Sequence, residues 1–371
     1  MPAITTPNST ILVTGANGFI ATWLVGDLLT RGYTVRAAVR SEAKGRHLLK
    51  VYEGYVQQGK LAIFEIGGDM AKSGTFDEAV KGVDAVIHTA AAVHLHAKEP
   101  KEMIEPAVNG IVGIMESVVK YGQVPSVVIA MIKNNFYPDR TSVRRLVITS
   151  SCAAIRAFST VPVMLSEKDW NDEHVKECEE KGKDANPLAM YAASKTLAEK
   201  AGWEYYEKHK SETTWDLCFL NPPWVFGPVK HEVTSIESLN ESNLYWYKAT
   251  IKDDFGGYSP LHAPSHGWVD VREVSEAHVR AMETPEAGGQ RIIIAAGQFV
   301  WQDCVDAVNS VVPSPWKSHP PPYAQGEPDG QRIRLITWVT EKEKEIFGLK
   351  FRTMKETAKD ILQDYERHGW A

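Results

Sequence analysis

The sequence predicts an α/β protein, a doubly wound parallel sheet with a smaller C-terminal lobe. Three observations predict it. Short β-branched runs alternate with amphipathic stretches through the first two-thirds of the chain, as in βαβ units. A glycine-rich turn follows the first of these runs directly and opens a helix. Past Trp224 the alternation loosens, and Pro, Gly, His and aromatic residues become frequent. In chain order, Ile11-Leu12-Val13 reads as a strand and Ile20 to Arg31 as the helix after it. Strands are expected at Thr34 to Val39, Ala62 to Ile66, Ala85 to His88 and Leu146 to Thr149, all apolar enough to be buried on both faces. Helical spacing falls between them at Phe76 to Lys81 and at Pro106 to Lys120. The last helix, Thr353 to Arg367, is charged on one side. This divides the chain into residues 1–223, a nucleotide-binding domain, and 224–371, a smaller substrate lobe from which the chain returns in part to the first domain.

One stretch does not fit the alternation. Lys120 would end a helix, and Ser142 to Arg145 would lead into the strand at Leu146, yet Tyr121 to Thr141 lies between them. Connections in βαβ units usually take about two to six residues. The stretch therefore reads as an insertion, a surface element or a translated non-coding segment.

Composition excludes several classes. The 371 residues are 43% hydrophobic and 24% charged, with a formal net charge of −6. Such a chain has no bulk electrostatic attraction for nucleic acid or an anionic membrane. No apolar run approaches the roughly 18 residues of a membrane span, and the polar stretch Met1 to Thr10 is not expected to be a secretory leader. Cys152, Cys178, Cys218 and Cys304 are scattered, with no zinc spacing, and read as reduced cytoplasmic thiols. His88, His94 and His96 lack a carboxylate or Cys at useful spacing, so no metal site is expected.

The turn Thr14-Gly15-Ala16-Asn17-Gly18-Phe19-Ile20-Ala21 carries the first chemistry. Gly15 permits a tight bend, Gly18 lets backbone approach a pyrophosphate, and Ala21 lets the helix pack close to the sheet. Free N–H groups at the helix start would hold the phosphates. This is the opening unit of a Rossmann-type dinucleotide fold. Such folds usually place an acid about 20 residues on, to bind the ribose 2′-OH. Here Arg40 stands in that place, with Lys44 one helical turn later. A guanidinium pairs with a 2′-phosphate, which favours NADP(H) over NAD. Arg36 reads as a surface residue.

The second chemistry lies in Tyr191-Ala192-Ala193-Ser194-Lys195, where Tyr191 and Lys195 share one helical face. A phenol with an ordinary pKa near 10 needs help to exchange a proton at neutral pH, and an adjacent ammonium gives it. Thr149-Ser150-Ser151 ends a core strand, the part of an open parallel sheet that lines a ligand crevice.

With these residues together, the chain resembles the extended short-chain dehydrogenase/reductases. Within them it resembles the branch of dihydroflavonol reductases, cinnamoyl-CoA reductases and fungal ketone and aldehyde (carbonyl) reductases. Further matching motifs are Gly68-Asp69-Met70 and Val86-Ile87-His88-Thr89-Ala90-Ala91, whose end flanks the cofactor in the family. Val108-Asn109-Gly110 matches the family's helical Asn-Gly, and Asn221 to Pro228 its segment beside the nicotinamide. The likeness runs from about Ile11 to Ala296.

The resemblance implies an NADPH-dependent carbonyl reductase. Tyr191 would protonate the carbonyl oxygen, Lys195 would lower the phenol pKa and hold the nicotinamide ribose, and Ser151 would hydrogen-bond the substrate oxygen. Ser150, pointing the other way by strand alternation, would contact cofactor. The implied cofactor contacts are Thr14, Gly15, Asn17, Gly18, Phe19, Ile20, Arg40, Lys44, Asp69, Met70, Thr89, Ala90, Ala91, Thr149, Ser150, Tyr191, Lys195, Pro222, Pro223 and Val225. Asp69 is either the adenine-contacting acid or a loop cap. Tyr245, Trp246, Tyr247 and Trp268 either line an apolar pocket or pack the small lobe. The expected partner is a small carbonyl compound, with flavonoid, cinnamoyl-CoA, β-keto ester and small aldehyde all open, and monomer and homodimer both open. Two rivals remain, an epimerase or dehydratase of sugar nucleotides that retains NAD, and a non-catalytic NADP sensor.

Overall fold

The computed structural model describes residues 3–91, 97–122, 143–156, 159–252, 265–326 and 330–370. The chain opens with β1 (Thr10–Thr14), α1 (Phe19–Thr30), β2 (Thr34–Val39), α2 (Glu42–Val51), α3 (Glu53–Gln57) and β3 (Leu61–Glu65). Then come β4 (Ala85–His88), α4 (Lys101–Tyr121), β5 (Arg145–Thr149), β6 (Val163–Leu165), α5 (Asp172–Lys181), α6 (Pro187–His209) and β7 (Asp216–Asn221). The last part holds β8 (Trp224–Phe226), α7 (Glu241–Tyr247), β9 (His266–Asp270), α8 (Val271–Glu283), β10 (Gln290–Ile293), β11 (Gly297–Phe299), α9 (Trp301–Asn309), β12 (Ile336–Trp338), α10 (Glu341–Ile346) and α11 (Met354–His368).

Seven strands form one sheet in the order β10-β7-β5-β4-β1-β2-β3, and every pairing in it is parallel. Strand alternation explains how it is wrapped. Ile11, Val13, Ile87 and Val147 join one buried cluster, to which α1 and α8 contribute Leu24, Leu28, Val274 and Ala277. Leu12, Val86, Leu146 and Ile148 face the other way, with Ile114 and Val118 of α4 and Ala198 of α6. Both faces are covered, which is why the central strands read as continuous apolar runs. The order reverses direction at β1, so the crevice for a ligand opens at the carboxyl ends of β1 and β4.

Two smaller sheets carry the remainder, β11-β9-β8 and β12-β6. The boundary at residue 224 does not separate two contiguous pieces of chain. Beyond it, β10 pairs with β7 as the edge of the large sheet, and β6 from the first part pairs with β12 from the last. Of the expected aromatic group, Trp246 and Tyr247 are buried and meet Tyr365 of α11 edge-on at 6.3 and 6.0 Å. Those two are packing residues. Tyr245 instead stands half-buried against Trp224, at 5.6 Å.

Two expected elements need correction. Phe76 to Lys81 forms successive turns rather than a helix. Its apolar residues Phe76, Ala79 and Val80 are buried as a helical face would be. However, the half-buried Arg36 takes the carbonyls of Ala79 and Lys81 at 2.7 and 2.6 Å. So short a helix, with carbonyls bound from outside, gains too little to offset nucleation. Arg36 is therefore a structural cap and not a plain surface residue. The fourth helix starts at Lys101, one turn and more ahead of Pro106, which lies inside it.

Of the expected insertion, Tyr121 to Thr141, residues 123–141 lie outside the described residues, while Tyr121 ends α4 and Gly122 is its cap. The two flanks meet, because the Val143 N–H donates to the Gly122 carbonyl at 2.8 Å. Deleting Gln123 to Ser142 would leave Gly122, Val143 and Arg144 as an ordinary short connection. The deleted chain is expected to keep its circular dichroism spectrum and its NADPH affinity. Loss of NADPH binding would make the segment part of the core.

Candidate active site

The turn after β1 is built around a close approach. Gly15 has φ +63°, and a Cβ there would lie 2.8 Å from Cα of Ala90, past the end of β4. Both the angle and the contact require glycine. Gly18 differs, since its φ of −81° suits any residue and a Cβ would stand 3.2 Å from the Gly15 carbonyl. There space matters, and Gly18 caps the start of α1, where the first N–H groups have no partner within the helix. The ends of β1 and β4 are laced together. Thr14 Oγ1 lies 2.9 Å from His88 Nδ1 and accepts from the Ala90 N–H at 3.3 Å, while Thr89 Oγ1 donates to the Thr14 carbonyl at 2.6 Å. Burial and, to a smaller extent, the Lys195 ammonium push the His88 pKa down to about 3, so the ring is neutral. His94 and His96 lie outside the described residues.

Around this turn, Asn17 and Ile20 are half-buried, and Phe19 is buried with its ring 5.5 Å from that of His231. Arg40 and Lys44 are both exposed, one at the carboxyl end of β2 and the other in the first turn of α2. Asp69 Oδ1 accepts from the Ala71 N–H at 2.9 Å, so its carboxylate caps its own loop. Met70, Ala90, Ala91, Gly110, Ser150 and Lys195 all line the cleft along the strand ends.

Helix α6 delivers the candidate proton donor. Asn186 caps it by accepting from the Leu188 N–H at 2.9 Å, and Pro187 occupies the first turn, where its missing N–H does no harm. Tyr191 and Lys195 follow on one face, with Lys195 Nζ 5.8 Å from the centre of the Tyr191 ring. The two serines differ in their bonds. Ser150 Oγ donates to the buried Glu199 carboxylate. Ser151 Oγ accepts from the Ala153 N–H at 3.0 Å, a bond that leaves the hydroxyl proton to be given elsewhere. Thr149 lines the cleft, and its hydroxyl lies 2.7 Å from His278 Nε2. His278 gives its Nδ1 hydrogen to the Val274 carbonyl. Pro222 is buried and accepts from the Cys152 N–H at 3.0 Å, Pro223 is half-buried, and Val225 is buried.

Two features escaped the sequence reading. Glu199 is fully buried one turn beyond Lys195, where it pairs with Arg291 at 2.5 Å and accepts from Ser150 and from Asn221 Nδ2, the latter at 2.8 Å. The spacing Tyr191, Lys195, Glu199 marks a single face and could have flagged it. Arg291 comes from β10, and no local signal joins it to Glu199. The second feature is Arg156, whose Nη1 donates to His266 Nδ1 at 2.8 Å beside the aromatic wall of Trp224, Phe299 and Trp301.

The sequence model of the NAD-dependent epimerase/dehydratase family matches residues 11–297. The chain belongs to that family. The match covers the same span as the likeness read from the motifs. Within the epimerase/dehydratase family its relatives include reductases. A ketoreductase of Aspergillus niger, azaE, is 32% identical over 357 residues, covering 95% of this chain and 96% of that protein. The NADPH-dependent methylglyoxal reductase GRE2 of Saccharomyces cerevisiae is 31% identical, covering 94% of this chain and 96% of its own. The crystal structure of the yeast methylglyoxal/isovaleraldehyde reductase Gre2 complexed with NADPH superposes with a TM-score of 0.78 at 29% identity, over 98% of this chain and all of that one. Among the described residues no helix is long and apolar enough to cross a membrane, and no group of His, Cys, Asp or Glu is arranged to hold a metal ion.

Proposed function

We propose that this protein is an NADPH-dependent carbonyl reductase that converts a ketone or aldehyde to an alcohol. The observation that carries it is Tyr191 and Lys195 on one face of α6, with Lys195 and Ser150 lining the cleft where the sheet order reverses. The reductase relatives that match over nearly the whole chain support it. The residues present suit the dinucleotide. Glycine at positions 15 and 18, just ahead of α1, suits the close approach of a pyrophosphate to backbone N–H groups, and the exposed Arg40 just after β2 suits a 2′-phosphate. Bound NADPH would supply the hydride. Tyr191 gives its phenolic proton to the carbonyl oxygen, so that hydride and proton together complete the alcohol. Lys195 stabilises the phenolate left behind and holds the ribose. Ser151 donates its hydroxyl to the same oxygen, a task that Ser150, committed to a buried carboxylate, cannot share. The four buried thiols suit the reducing cytoplasm.

The test is oxidation of NADPH by purified protein with a flavonoid ketone, a cinnamoyl-CoA thioester, a β-keto ester and a small aldehyde. Turnover of at least one class is the expected result. Tightly co-purified NAD with no net oxidation would point to the epimerase chemistry instead. In the same assay Arg40→Asp is expected to raise the NADPH KM by about tenfold or more while NADH use holds or improves. Equal changes with both cofactors would remove Arg40 from the 2′-phosphate.

A further inference from the structure

The seam between α8 and the C-terminal helix α11 holds a cluster of charges that the reaction does not use. Asp270 caps the start of α8 and is fully buried. Its oxygens accept from the Arg272 N–H at 2.9 Å, from Arg272 Nε and Nη2 at 2.8 and 2.7 Å, and from the Thr357 hydroxyl of α11 at 2.8 Å. Arg272 also reaches Asp360 of α11 at 2.6 Å, a carboxylate that keeps 32% exposure. Glu273, in the first turn of α8, is buried as well. Its Oε1 accepts from Arg352, just ahead of α11, but its Oε2 is buried without a hydrogen-bond partner. Three carboxylates therefore stand against two guanidinium groups.

The other charged groups around this part of α8 have partners of their own or face solvent. Arg31 of α1 pairs with Glu276 and Glu283, and Asp27 of α1 accepts from the Ser275 hydroxyl. Arg280 pairs with Glu276, and Glu343 of α10 accepts from the Leu349 N–H at 2.8 Å. On α11, Glu356 closes a capping box with Thr353, while Lys355 and Lys359 are exposed. A buried bare acceptor beside a second buried carboxylate is unfavourable. A proton on Glu273 Oε2 corrects both faults, since it evens the charges and turns the bare oxygen into a hydroxyl. Burial first, and the Asp270 charge second, push the Glu273 pKa up to about 7 against a smaller pull from Arg352. Further along α11, Asp364 accepts from the Val229 N–H at 2.8 Å, and Tyr365 packs on Trp246 and Tyr247 of α7. What holds the first turns of α11 thus also holds α7 and the chain just past Pro228.

We propose that Glu273 is a proton-operated latch between α8 and α11: a proton on its free oxygen closes the seam, and loss of that proton as pH rises loosens the C-terminal helix. Once the seam opens, Glu273 returns to an ordinary carboxyl, with a pKa of about 4.3. Below that value both states hold the proton. Between it and about 7 only the closed seam does, so the closed form loses about tenfold in equilibrium constant per pH unit, and above about 7 the loss levels off. Hydrogen exchange of the α11 amides in the full chain reads this without turnover. After correction for the base-catalysed intrinsic rate, α11 is expected to open about tenfold more at about pH 8.5 than at about pH 6. Glu273→Gln, neutral and of the same shape, is expected to remove that rise. No rise in the native chain, or an equal rise in Glu273→Gln, overturns the proposal. If the glutamine variant does not fold, carbon-13 NMR of the glutamate carboxyls in the native chain decides. One carboxyl is expected to titrate within about one unit of pH 7 and to remain in Glu343→Gln. No glutamate titrating above about pH 6, or loss of that signal in Glu343→Gln, overturns the latch.

Discussion

Tyr191→Phe is expected to bind NADPH as the native chain does while kcat falls by about 10² or more, the usual loss for a positioned general acid. The substitution keeps the ring, packed against the buried cluster that includes Met103, Ala189 and Ala193, and removes only the acidic hydroxyl. The fold and the crevice at β1 and β4 do not depend on that hydroxyl. Lys195→Ala is the informative contrast. Lys195 lines the cleft and also stands beside the Tyr191 ring, so its loss should weaken NADPH binding and lower kcat together. Fluorescence titration of NADPH and steady-state rates on one good substrate separate the two patterns. Near-native turnover by Tyr191→Phe would refute the proposed proton transfer, whatever the fold.

Glu199→Ala is expected to destabilise the protein by about 3–5 kcal/mol, the range for removing one partner of a buried ion pair. The carboxylate lies at no solvent exposure and accepts from Arg291, Ser150 and Asn221 together. Removing it leaves a guanidinium and two other donors buried with an acceptor gone. Arg291 keeps its carbonyl partners at Glu167 and Asp169 and its stack on Trp170 at 3.6 Å, but none of these carries a negative charge. The same atoms join the ends of β5 and β7, so the position of Ser151 should loosen as well. Urea unfolding measures the first effect and kcat the second. A loss below about 1 kcal/mol would mean that the network is no more than a solvated surface pair in effect.

How much of this was legible depends on how far apart the cooperating residues lie in the chain. The strands at Thr34–Val39 and Ala85–His88 have the bounds their apolar runs suggest, because Val35, Ala37 to Val39 and Ala85 to Ile87 are buried within the sheet. Tyr191 and Lys195 were legible because helical spacing alone makes them neighbours. Phe76 to Lys81 misled because its apolar spacing is helical while Arg36, far away in the chain, takes two of its carbonyls. Pro106 misled because proline favours a first turn, yet here the packed helix runs through it.

By itself the sequence determined the local units of this protein. It set the strand, glycine bend and helix that would take a pyrophosphate, the Tyr191–Lys195 face, and the alternation that demands a covered parallel sheet. Each follows from spacing over a few residues, where backbone geometry dictates what meets what. Tertiary structure decided the rest. It made Arg291 on β10 the partner of Glu199, brought the Thr149 hydroxyl to His278, and gave Ser150 and Ser151 different partners. It also brought Arg156 and His266 together in the aromatic wall. These pairings depend on which strand lies beside which and on which buried donors must find acceptors. That is a property of the packed whole, and no window of sequence contains it.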